Sequence, residues 1–150
     1  MTEEFERVRK KYNLPSFEAL DVTLDLSGHE EAENVLRWLI KRVSERLEFY
    51  SDFMGNLVQP DGQPSNLYEL NAFSDGEREK LSLIFKKLMF LHREYLVEEL
   101  NFKEDSAARY LLHFMKEWEM LKKELTEVLE VLKKSWQDES RLRLNLEYYG

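Results

Sequence analysis

Apolar residues recur along most of this chain at helical spacing. Leu36, Ile40, Val43, Leu47, Tyr50, Met54 and Leu57 are spaced 4-3-4-3-4-3, a heptad seam. Leu81, Ile84, Leu88, Leu91 and Tyr95 repeat it as 3-4-3-4. Ala107, Leu111, Phe114, Trp118, Leu121, Leu125, Val128 and Leu132 carry it on without a miss. Ser27 with Glu30 and Ser74 with Glu77 have capping-box spacing, so helices are expected to open there. The pattern thus predicts long helices over 30–57, 77–100 and 107–136.

Ahead of them, Phe5, Val8 and Tyr12 form one stripe of a short helix over 2–12, which Pro15 stops or redirects. Leu14, Phe17 and Leu20 suggest one more turn. Asp21 to Leu26 alternates polar and apolar, the period of an extended segment, and Arg141 to Tyr148 does the same. The two are expected to pair as a small ribbon, 22–26 with 142–148. The stretch 59–65 holds two of the three prolines and reads as a loop, with a single turn following at 66–70. Short connections make neighbouring helices antiparallel. The expected fold is all-α: an antiparallel up-down bundle of three long helices plus a short N-terminal helix. It is expected to be one domain over 1–150, with an arm at 1–26, a bundle at 28–138 and a tail at 139–150.

Composition agrees with a packed helical domain. The chain has 150 residues, 43% hydrophobic and 13% aromatic, too much apolar surface for a disordered segment. Charged residues make up 35%, chiefly Glu, Lys and Arg, which suits long helices and is compatible with a thermophilic source. There is no cysteine, which removes disulfides, thiolate catalysis and sulfur-ligated zinc. The first residues, MTEEFERVRKK, lack the apolar core of a secretion signal, and no stretch approaches the ~20 apolar residues of a membrane span. A cytoplasmic protein is expected. The net charge of −8 disfavours nucleic acid and membrane surfaces. Two basic clusters, Arg7, Arg9, Lys10 and Lys11 and then Arg141 with Arg143, are not interleaved with aromatics in a nucleic-acid-binding pattern.

Chemistry has few footholds. No phosphate-binding glycine loop, zinc HExxH motif or nucleophile elbow occurs. The residues three before His29, His92 and His113 are Leu26, Met89 and Tyr110, so the Glu-x-x-His of di-iron bundles is missing. If the last two long helices turn near Lys103, His92 and His113 lie level, which makes them candidate metal ligands. His113 nevertheless falls outside the seam that Phe114 occupies. Glu94, Glu98 and Glu99, with Glu45 and Glu48 opposite, form a candidate carboxylate cluster of the kind that holds Mg²⁺ in helical nucleotide hydrolases. The EExxE spacing of MazG-like pyrophosphatases is not met, since Asn34 follows Glu30-Glu31 where Glu is needed. No catalytic residue and no cofactor is assigned.

The most informative feature is a surplus of apolar residues on 77–100. Beyond its seam, this segment carries Leu83, Met89, Phe90, Leu96, Val97 and Leu100. A helix with one buried face should be polar opposite it. Val35, Trp38 and Phe49 show a milder surplus on 30–57. Either the chain covers these faces itself, through Phe5, Val8, Leu14, Phe17 and Leu20, or they are an interface. The expected function is a non-enzymatic interaction or scaffolding subunit that associates with itself or a protein partner. The alternative is a metal-dependent nucleotide hydrolase. Two helices joined by a Pro/Gly loop over 33–95 also resemble the helical domains of GINS-type replication proteins, but no distinctive motif supports this and nothing is transferred from it.

Overall fold

Serine, threonine and asparagine oxygens open most of the helices of this chain, and two residues in left-handed conformation close the first two. In a computed structural model, which describes residues 2–28 and 34–138, the order is α1 (Glu3–Tyr12), α2 (Phe17–Leu24), α3 (Val35–Val58), α4 (Pro64–Leu70), α5 (Asp75–Leu100) and α6 (Glu104–Gln137). The fold is all-α, with no strand among the described residues.

Thr2 Oγ1 accepts from the Phe5 amide at 3.2 Å, and Glu3, Glu4 and Glu6 complement the positive end of α1. Asn13, at φ 54°, turns the chain out of α1 while its amide donates to the Arg9 carbonyl. Ser16 then caps α2 by accepting from Ala19 N at 3.2 Å. The segment expected to be extended, 22–26, is therefore helical through Leu24. The helical repeat wins because Leu20 and Leu24, four apart, are both buried, whereas Val22 is 79% exposed. Asp25, at φ 52°, ends α2, and Leu26 beyond it is buried. The other half of the expected ribbon, 142–148, lies outside the described residues.

Of the capping box expected at Ser27 and Glu30, only the serine lies within the described residues. The Ser27 amide and hydroxyl both donate to the Asp21 carboxylate, at 2.8 Å to 3.0 Å, and Glu30 lies outside the described residues. Asn34 Oδ1 accepts from Arg37 N at 3.1 Å, and α3 starts at Val35. The second box is present as expected. Ser74 N donates to Glu77 Oε1 at 2.8 Å, and Glu77 N donates to Ser74 Oγ at 3.3 Å. The expected turn at 66–70 is a helix of seven residues with Pro64 at its first turn.

The residues gather into two compact units, and α3, α5 and α6 each contribute to both. The first unit holds Met1–Phe49 with Phe90–Glu117. In it, Arg37 of α3 lies 3.4 Å from Glu99 of α5, and Glu48 lies 3.9 Å from His92, so α3 and α5 run in opposite directions there. Glu94 with His113 and Glu98 with Ser106 set α5 and α6 antiparallel in the same way. The arm is bound to this frame by Arg7, 3.0 Å from Glu104, and by the Tyr12 hydroxyl, which donates to Asp105. The ring of Phe5 meets that of Phe17 edge-on at 5.6 Å.

The second unit holds Tyr50–Met89 with Trp118–Gly150. Trp118 is buried, with its ring 5.6 Å from that of Tyr50. Gly55 sits inside α3, where a Cβ would lie 3.3 Å from the ring of Phe85 on α5, so the helix tolerates a poor helix former to let that ring approach.

Candidate interaction surface

Each residue of an α-helix advances ~100° around the axis. On α5 this places Leu81, Ile84, Leu88, Leu91 and Tyr95 together, and all five are buried. The same arithmetic puts Phe90 and Val97 within ~20° of the direction opposite Leu88. They stand in solvent: Phe90 is 65% exposed, Val97 61%, Leu83 61% and Leu100 83%. Leu96 is also exposed, and Met89 is half-buried.

The surplus apolar residues of α3 are covered in part. On α3, Val35 and Trp38 are buried, whereas Phe49 is 65% exposed. Arg42, on the same side of α3, donates to the Leu24 carbonyl at 3.1 Å, and Arg46 donates to the Thr23 carbonyl at 3.0 Å. The carbonyl end of α2 is thus docked against this face, and two guanidinium groups satisfy its last carbonyls. The end of α2 therefore docks on α3, while the outward face of α5 keeps its large apolar side chains exposed.

The candidate metal ligands separate. His92 and His113 are close to level, as the pairing of Glu94 with His113 at 3.8 Å shows, but they face different neighbours. His92 Nε2 looks to Glu48 of α3, while its Nδ1 accepts from Arg93 at 2.8 Å. Glu98 accepts from the Ser106 hydroxyl at 2.8 Å, Glu99 pairs with Arg37, and Glu45 pairs with Arg42. Residues 94 and 98 point towards α6, and residues 92 and 99 towards α3. Among the described residues, no three His, Asp or Glu side chains are grouped so as to hold a metal ion.

Sequence reasoning missed two polar anchors. Tyr110 is buried and donates to the Leu91 carbonyl at 2.7 Å, and burial pushes its hydroxyl well above the usual phenol range, so it stays a donor. The Tyr68 hydroxyl donates to the Ser135 carbonyl in the second unit. For Tyr110 the hint was an aromatic beside the seam residue Leu111; for Tyr68 the sequence offered none.

Comparison with protein-family models, curated proteins and solved structures finds no match to this chain. Among the described residues, no helix is long and apolar enough to cross a membrane.

Proposed function

We propose that this chain is a non-enzymatic interaction subunit, built as an antiparallel up-down bundle of helices, that associates with copies of itself through the outward face of α5. The observation that carries this reading is the exposure of Leu83, Phe90, Val97 and Leu100 on the side opposite the buried seam. Exposed apolar area of that kind mostly marks a surface that another molecule covers. A cytoplasmic setting is part of the proposal. The hydrolase reading has no observation in its favour, since its carboxylates turn to separate partners.

Sedimentation at micromolar concentration tests this. A species of at least twice the 18.1 kDa chain mass is expected. Phe90→Glu should return it to one chain mass while helix content and melting temperature hold, because Phe90 is exposed and contributes little to the folded chain. A wild-type chain that stays monomeric throughout would sink the reading.

A further inference from the structure

A groove of about 150 Å³ opens within the second unit, between the start of α5 and the later turns of α6. Its floor is apolar: Phe73, Leu81, Ile84 and Val128 are buried there, and Val131 is half-buried. A cavity of that volume accepts an apolar group the size of benzene, so one large aliphatic side chain fits. Of the carboxylates around it, Glu77 is bound by Ser74, and Glu124 faces Lys87 at 3.8 Å. Glu127 is exposed and, among the described residues, has no hydrogen bond or ion pair, so it is the carboxylate left for an incoming cation.

The sequence beyond α6 carries the matching pattern. Leu142, Leu144 and Leu146 alternate with Arg141, Arg143 and Asn145. In an extended run this sets the leucines on one side and the guanidinium groups on the other. The stretch expected to pair with that run, 22–26, is taken up by α2 and the joint after it, so the leucines are left to another surface. The groove is within reach. Val128 lies ten residues before Asp138, ~15 Å back along the helix axis. Six extended residues from Asp138 to Leu144 span ~20 Å, which leaves room for a turn.

We propose that residues 141–146 turn back along α6 and seat Leu144 in this groove, with Arg143 against the Glu127 carboxylate at its rim. A segment tethered within reach acts at an effective concentration in the millimolar range. The chain's own end therefore occupies the groove ahead of a free partner that offers the same side chains. The leucine covers the part of the floor that Val131 leaves open, and this burial is the main gain. The exposed ion pair adds little affinity and serves to fix which leucine enters. A single chain is enough for this contact, so it holds whether or not copies associate through α5.

Because the chain has no cysteine, introduced pairs report the seat directly. In the full, dilute chain under mild oxidation, Lys80→Cys with Asn145→Cys should close a disulfide at least tenfold faster than Glu79→Cys with Asn145→Cys. Lys80 lines the groove, whereas Glu79 stands ~100° around α5 from it. Leu144→Asp should erase that preference. Glu127→Arg should slow the closure about threefold, and adding Arg143→Glu should restore it. Equal rates for the two cysteine pairs would overturn the inference, and a preference that survives Leu144→Asp would put another side chain in the groove. A disulfide found only between two chains would give the groove to the end of a second copy and overturn the seat within one chain.

Discussion

The hydroxyl of Tyr68, on the short helix α4, donates to the backbone carbonyl of Ser135 near the end of α6. The last four carbonyls of a helix have no partner within it, and this side chain supplies one of them. The Tyr68 ring is fully buried and lies 4.4 Å from that of Trp136, whose indole N–H donates to Glu69 at 3.0 Å. One turn of α4 thereby fastens the final turn of α6. Tyr68→Phe should cost ~1 kcal/mol for the lost bond, and Tyr68→Ala ~3–5 kcal/mol once the cavity is added. Urea unfolding of the three chains gives both differences. Equal midpoints for wild type and Tyr68→Phe would remove the hydrogen bond from the account.

Trp118 is the large side chain in the middle of the α6 seam, and it is buried against Tyr50. Truncation to alanine should destabilise the chain by ~3–5 kcal/mol. Iodide should quench Trp118 poorly in a chain where Trp38 and Trp136 are replaced by phenylalanine. Quenching as efficient as for free indole would show that Trp118 is not in the core.

The Ser74–Glu77 box should make stability sensitive to acid. The Ser74 amide and hydroxyl hold the Glu77 carboxyl below its ordinary value of 4.5. A folded-state pKa that lies below the unfolded one contributes stability above the unfolded value and loses it as pH falls through the folded one. The acid limb of the Tm–pH profile, below about pH 4.5, should therefore flatten in Glu77→Gln. An identical acid limb in wild type and variant would contradict this. Ser74→Ala should cost ~1 kcal/mol at neutral pH through the lost cap.

Tyr110 offers a check on the first unit. Its hydroxyl reaches the Leu91 carbonyl on the neighbouring helix, and burial keeps it protonated. Tyr110→Phe should lower stability by ~0.5–1.5 kcal/mol, with no change in the sedimentation behaviour of the chain. A change in association instead would mean that Tyr110 lies nearer the interface than its burial indicates.

Long-period information in the sequence was legible, and local competition was not. The seams of α3, α5 and α6 could be read from spacing alone, because a helix that buries one face repeats its apolar residues over many turns. The exposed residues of α5 stood out by the same logic. The stretch 21–26 was misread because six residues of alternation weigh the same on paper as the pair Leu20 and Leu24, and only packing shows which is buried. Ser27 has cap spacing, yet the Asp21 carboxylate, six residues back, claims its amide and hydroxyl. For His92 and His113, the level was right and the direction was what mattered. His92 and Glu94, two residues or ~200° apart on α5, face α3 and α6 respectively, so His92 and His113 meet different carboxylates.

Asn13 and Asp25 close α1 and α2 in the left-handed conformation that glycine adopts at no steric cost. Asparagine and aspartate tolerate it better than most residues, but each joint leaves up to ~1 kcal/mol unclaimed that a glycine would recover. The second joint also fixes the end of α2, whose last carbonyls meet Arg42 and Arg46 of α3. The chain thus holds unspent stability at two surface positions, and a lineage that acquired glycine at either could absorb a damaging change elsewhere, in the core or along the outward seam of α5, and still fold.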